Sequence, residues 1–264
     1  MQTHLQWTAL SDQGQRRQNN EDAWNAMSLG DLLARMPAEG QIWPAHGFLL
    51  MVSDGMGGAK AGEEASQLCI QRLPAELYAR RTQPDLVVAM REALVATHAA
   101  LVEAAAADAA KDGMGATLSA LWLKPDGRRM VGHVGDSRIY CRKGGVWEQL
   151  TEDQSVGAGM VRRGELSAEE VNRLRYRSML EQVMGGDGTP IDPQLTPGRW
   201  APGDEYLLCS DGLYGPLAEG FDTAVAQAFR CPDLGEAAAA LVDGANRAGG
   251  PDNITVVLAR LLPT

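Results

Sequence analysis

The run Phe48-Leu49-Leu50-Met51-Val52 is apolar without interruption and ends in Ser53-Asp54-Gly55-Met56-Gly57-Gly58. Such a run, closed by glycines, reads as a strand buried on both faces that turns sharply at its end. The glycines permit the turn and let something approach the backbone closely. Asp54 has no cationic neighbour in sequence. A carboxylate in that position is costly to bury unless something positive is bound beside it. The same form returns as Tyr206-Leu207-Leu208-Cys209-Ser210-Asp211-Gly212. Two strands that each deliver Ser-Asp-Gly point to two sheets bringing carboxylates to one shared place.

Around these strands the pattern alternates between strand and helix. His4 to Asp12 and Ala23 to Met27 read as strands, with Arg17-Gln18-Asn19-Asn20-Glu21-Asp22 between them. Glu21 and Asp22 would face opposite ways on extended backbone; taken alone, an arginine near such a pair is a solvated ion pair. Residues 28–47 read as a surface excursion, with a short helix over Leu29 to Met36. Helices are expected over Ala59 to Arg81, kinked or broken at Pro74, and over Pro84 to Lys111, with Pro84 in the first turn. Period-two strands follow at 116–123, 128–134, 138–143 and 146–150 as one meander. Within it, His133-Val134-Gly135-Asp136-Ser137-Arg138 places another aspartate after a glycine at a strand end. By itself Asp136 is a turn residue and Arg138 a structural salt-bridge partner.

Residues 151–192 are polar and glycine-rich and read as a flap over a site. Helix starts are expected at Thr151-Glu152-Asp153-Gln154 and at Ser167, with Glu170 completing a capping box. Strands at 194–200, 205–210 and 254–262 and helices at 221–229 and 234–248 complete the chain. No linker divides it, so a single domain over 1–264 is expected.

The net charge of −10 leaves no basic footprint for nucleic acid. No window approaches the ~20 apolar residues that span a bilayer, and Met1 to Trp7 lacks the form of a signal peptide. Four scattered cysteines without a CxxC pair fit a reducing cytoplasm rather than a zinc site or a disulfide framework. The carboxylates beside glycines at strand ends, Glu21-Asp22, Asp54, Asp136, Asp211 and Asp252, are a set of oxygen donors suited to Mg²⁺ or Mn²⁺. Two such cations bridged by one carboxylate can activate water and clamp a phosphoryl group. Asp54 is the bridging candidate, and Arg17 offers a planar fork to phosphate oxygens. No Ser-His-Asp or Cys-His constellation competes, and the P-loop is absent.

Those residues also resemble a family. Arg17 to Asp22, Ser53 to Gly58, Gly115-Ala116-Thr117, Val134 to Arg138, Ser210 to Leu213 and Asp252-Asn253-Ile254-Thr255 stand in the order found in metal-dependent serine/threonine protein phosphatases of type 2C, bacterial branch. The resemblance implies an α+β fold, an α-β-β-α sandwich of two antiparallel sheets flanked by helices. It implies direct metal ligation by Asp22, Asp54, Asp211 and Asp252, ligation through water by Glu21, and a ligand from the Gly55 carbonyl. Asp136 would join Asp211 at a third, weaker site, Arg17 would bind the substrate phosphate, and Thr117 and Asn253 would hold the ligands from behind. A hydroxide between two metals would attack phosphorus in line. The implied partners are phosphorylated proteins and an opposing Ser/Thr kinase.

Three positions depart from the family's pattern. Met56 stands where many eukaryotic members carry a histidine proposed as general acid, and methionine cannot donate that proton; a water near Asp136 is the substitute donor expected here. Asp153-Gln154-Ser155 replaces Asp-His-Ser, and Arg175-Tyr176-Arg177-Ser178 replaces a proline-containing segment. Two rivals remain: a catalytically silent phosphoprotein-binding module of the same fold, and a hydrolase of small phosphate esters.

Overall fold

The computed structural model describes residues 3–29, 39–40 and 43–263. Strands are β1 (Thr3–Asp12), β2 (Asp22–Ser28), β3 (Glu39–Gly40), β4 (Phe48–Met56), β5 (Gly115–Ala116), β6 (Leu118–Leu123) and β7 (Arg128–Val134). They continue with β8 (Arg138–Lys143), β9 (Val146–Gln149), β10 (Met184–Gly185), β11 (Gln194–Arg199), β12 (Glu205–Cys209) and β13 (Ile254–Pro263). Helices are α1 (Ala59–Ala79), α2 (Leu86–Ala107), α3 (Val156–Arg162), α4 (Ala168–Val171), α5 (Asp211–Leu217), α6 (Phe221–Ala228) and α7 (Leu234–Arg247).

The strands form two antiparallel sheets. One runs β3-β1-β13-β12-β8-β9; the other runs β10-β5-β4-β6-β7-β11, with β2 also paired to β4. Alternation along β4 shows why its apolarity is continuous. Leu49 and Met51 pack toward α1 and α2, whereas Phe48, Leu50 and Val52 enter the layer between the sheets. In β12, Leu207 and Cys209 face the helical layer of α6 and α7, while Tyr206 and Leu208 face between the sheets. Each recurrent strand is thus central to its own sheet and buried on both sides. The α-β-β-α sandwich implied by the resemblance is the fold.

Several expectations are corrected. The meander is split: β6 and β7 lie in one sheet and β8 and β9 in the other, so the chain changes sheets at Gly135-Asp136-Ser137. The expected strand 116–123 is interrupted at Thr117, which instead serves Asp54. Helix α1 runs through Pro74 without a break, with Leu73 and Leu77 fully buried on either side of it. Helix α2 starts after Pro84, because the Asp85 carboxylate accepts from the Val87 and Val88 amides as N-cap. It stops at Ala107, where Asp108 caps a separate 3-10 turn. The helix expected at 151–154 begins at Val156 with Ser155 as cap, whereas the capping box at Ser167 and Glu170 forms as expected. Helix α5 had no counterpart in the sequence reading, since Gly212, Gly215 and Pro216 all argue against helix. The helix expected over 29–36 falls, beyond Leu29, outside the described residues; Glu39–Gly40 pairs with Leu5 and Gln6.

Because Leu50 is fully buried between the sheets, Leu50→Ala should cost about 2–5 kcal/mol, measured as a lowered urea midpoint with an unchanged m-value.

Candidate metal centre

The strand ends and starts that carry the acidic residues fall at one edge of the sandwich. Asp22 opens β2 and lies directly opposite Asp54 near the end of β4. Asp136 sits in the crossover from β7 to β8, Asp211 is the first residue of α5 after β12, and Asp252 precedes β13. Two close approaches make this possible. A side chain at Gly55 would collide with the Gly62 and Glu21 carbonyls, and one at Gly212 would collide with the Asn253 carbonyl. The glycine of each Ser-Asp-Gly therefore lets a neighbouring backbone segment sit against the aspartate.

The two serines have different duties. Ser53 Oγ donates to the Thr117 carbonyl at 2.6 Å. Ser210 Oγ donates to Asp22 Oδ2 at 2.7 Å and accepts from the Thr255 amide at 3.0 Å, joining the sheets directly. Thr117 Oγ1 accepts from the Asp54 amide at 2.9 Å. Asn253 Oδ1 accepts from the Glu21 amide at 2.8 Å, and its Nδ2 donates to the carbonyls of Gln13 and Asn19. Thr117 and Asn253 thus fix the backbone of acidic residues, as expected. Ser210, Ser66, which donates to the Glu21 carbonyl at 2.6 Å, and Asn20, which accepts from the Asp22 amide at 3.1 Å, were missed. Only Ser210 carried a signal in the sequence, through the repeat.

The electrostatics are those of carboxylates in want of a cation. Burial, then the charges of Asp211 and Asp252, push Asp22 up to about 7 against its Ser210 hydrogen bond. Burial and Asp211 push Asp136 up to about 8. Burial and Asp252 push Asp211 up to about 6. Asp54 is raised well above the carboxylate range by burial and by Asp22, Asp211, Asp136 and Asp252. Asp22 Oδ1 and Asp211 Oδ1 are buried without a hydrogen-bond partner. Orphaned carboxylate oxygens in a buried acidic cluster fit a bound divalent cation. Among the described residues no group of three or more His, Cys, Asp or Glu side chains is arranged to hold a metal ion as it stands.

Two arginines border the cluster. Arg17 Nη2 pairs with Asp252 Oδ2 at 2.5 Å and stays half exposed. Arg138 holds Asp153 through two hydrogen bonds of 2.9 and 2.7 Å. Met56 lies 42% exposed at the end of β4, open to solvent and without a titratable group.

The raised carboxyls set a pH dependence for protein stripped by chelator. Their folded-state values lie above those of the unfolded chain, so the folded form binds more protons between about pH 4 and pH 8. Stability should fall as pH rises through that window. Thermal unfolding in EDTA should show a higher midpoint at pH 5.5 than at pH 8, and Mn²⁺ should flatten the difference.

Known proteins resemble this chain along most of its length. A family model described as protein phosphatase 2C matches residues 38–244. The serine/threonine protein phosphatase PstP of Mycobacterium tuberculosis is 35% identical over 97% of this chain, which spans only 45% of that protein's length. The protein phosphatase PhpP of Streptococcus pneumoniae is 30% identical over 97% of this chain and 98% of its own. A crystal structure of the catalytic domain of PstP in complex with two manganese ions superposes with a TM-score of 0.79 at 33% identity, covering 99% of this chain and all of that one. The order of motifs, the sandwich and the edge at which the carboxylates gather have one common explanation: this chain belongs to the protein phosphatase 2C family.

Proposed function

We propose that the chain removes phosphate from phosphoserine and phosphothreonine in proteins, in a reaction that requires Mn²⁺ or Mg²⁺. The observation that carries this reading is the buried cluster of Asp22, Asp54, Asp136 and Asp211, whose charge the protein leaves largely uncompensated. The manganese ions in the PstP catalytic domain support the same choice of cation. Every aspartate that the resemblance implies as a direct ligand is present, which speaks against a catalytically silent module.

Bound divalent cations supply an activated water and neutralise charge on the phosphoryl group. Asp22, Asp54, Asp211, Asp252 and the Gly55 carbonyl would hold the cations directly, and Glu21 would act through water. Asp136 and Asp211 are assigned to a third, weaker site. Arg17 is proposed to bind the substrate phosphate, a reading supported by its half-exposed guanidinium beside Asp252. Since Met56 cannot give up a proton, a water held near Asp136 is assigned to supplying one to the leaving serine or threonine oxygen.

Residues 1–264 are proposed to act as one catalytic domain with a flap at about 151–192. A cytoplasmic setting with an opposing Ser/Thr kinase is proposed as well. It is supported by free thiols at all four cysteines and by the lack, among the described residues, of any helix long and apolar enough to cross a membrane.

The test compares phosphate release from a phosphothreonine peptide and from a sugar phosphate, with Mn²⁺ and with chelator. Mn²⁺-dependent release from the peptide is expected; a metal-independent rate, or release from the sugar phosphate alone, would overturn the reading. Arg17→Ala should lower kcat/KM on the peptide roughly 10- to 100-fold, mainly through KM, the loss of a charged hydrogen bond to phosphate.

A further inference from the structure

The crossover that carries Asp136 has a brace that none of the assigned roles uses. Tyr214 lies three residues after Asp211 on α5, so the two share one face of the helix about one turn apart. Its hydroxyl donates to the Asp136 carbonyl at 3.0 Å. Its ring lies under the guanidinium of Arg138, whose central carbon stands 3.6 Å from the ring centroid. Arg138 is itself held twice by Asp153 and donates to the Tyr140 hydroxyl at 3.1 Å. One phenol therefore connects the helix that begins with Asp211 to the backbone of Asp136, and a cation fixed from two other elements clamps its ring.

These two aspartates come from different structural contexts. Asp211 follows β12, whereas Asp136 lies where the chain passes from one sheet to the other. Asp136 is buried and Asp211 half-buried, and each raises the charge cost of the other or of the cluster. Gln154 anchors Gly135 through two hydrogen bonds, yet repulsion between the two carboxylates still favours movement of Asp136 away from α5. The Tyr214 bond opposes that movement at the residue itself, and the Arg138 stack stiffens the donor.

We propose that Tyr214, braced by Arg138, is a positioning residue that fixes the spacing of Asp136 and Asp211 and so sets the affinity of the third cation site, an inference that rests on the assignment of that site to this pair. Orientation by a hydrogen-bonded neighbour is worth about 10- to 100-fold in metal affinity at sites of this kind. The bond acts on Asp136, whereas other ligands proposed for the cations at Asp54 would be held separately, Asp54 through Thr117 and Asp22 through Ser210.

The experiment is a calorimetric Mn²⁺ titration of the chelator-stripped full chain, wild type against Tyr214→Phe. The phenylalanine keeps the ring under Arg138 and removes only the hydroxyl. Wild type is expected to take up three equivalents with the third weakest. The variant should keep the first two affinities within about twofold and weaken the third roughly 10- to 100-fold, with an unchanged thermal midpoint. Identical titrations would overturn the proposal. So would a variant that loses all three affinities and thermal stability together, since that marks a purely structural hydroxyl. A wild type that binds only two equivalents would overturn the three-site assignment and this role with it. Peptide hydrolysis by the same preparations would show whether the underlying phosphatase reading stands.

Discussion

Mutual repulsion among buried carboxylates is the constraint on which the rest of this structure turns. Asp22, Asp54, Asp136 and Asp211 are drawn from both sheets into one edge, where Asp22, Asp136 and Asp211 all raise the cost of ionising Asp54. Hydrophobic burial in the layer between the sheets holds that edge together. Its polar complement is the Ser210–Asp22 hydrogen bond, which ties a strand-to-helix junction of one sheet to the first residue of a strand in the other. Stability and function therefore pull against each other here: the apolar interior holds together groups that would separate without a cation.

Behind the carboxylates lies a buried polar network that limits where they can go. The Asp54 amide donates to Thr117, Thr117 shares a hydrogen bond with Ser137 at 2.7 Å, and Ser119 Oγ lies 2.8 Å from both the Ser137 carbonyl and His133 Nδ1. His133 Nε2 reaches the Glu152 carbonyl at 3.1 Å. That carbonyl can only accept, so Nε2 carries a proton. Burial pushes His133 down to about 4, against the charge of Asp153, so the ring is neutral and Nδ1 is an acceptor. Ser119 then has one proton for two acceptors, Nδ1 and the Ser137 carbonyl. With a histidine too buried to charge, the single Ser119 proton is shared between these two acceptors.

Legibility in the sequence followed burial and repetition. Strands β4 and β12 could be read because both faces are buried, which makes the apolar run continuous, and because each apolar run leads into the same three residues, Ser-Asp-Gly. Asp54 and Asp211 stood out as carboxylates where no local partner could neutralise them. The split of the expected meander between two sheets could not be read, since period-two alternation reports a strand's faces and not its neighbours. Helix α5 escaped because Gly212 is required by the Asn253 carbonyl pressing on it, a tertiary demand that looks locally like a helix breaker. Tyr214 escaped with it. Ser66 and Asn20 serve Glu21 and Asp22 through single backbone contacts that leave no pattern in a sequence.

The departures from the family's pattern also acquire a physical meaning. Gln154 stands where histidine is usual, and it bonds Gly135 twice: its side-chain oxygen accepts from the Gly135 amide at 2.9 Å, and its own amide donates to the Gly135 carbonyl at 2.8 Å. An amide side chain offers an acceptor at that reach without titrating, so this anchor does not change with pH as an imidazole would. Asp153, one residue earlier, is held by Arg138, and the Glu152 carbonyl is reached by His133. Three successive residues at the start of the 151–192 segment are therefore tied to the crossover that carries Asp136. Arg175, Tyr176 and Arg177 lie exposed beyond that root, where a change of sequence leaves the anchored residues untouched. Variation there can alter what the surface of this segment meets without moving the carboxylates, because the path between them passes through backbone atoms that Gln154, Asp153 and Glu152 already hold in place.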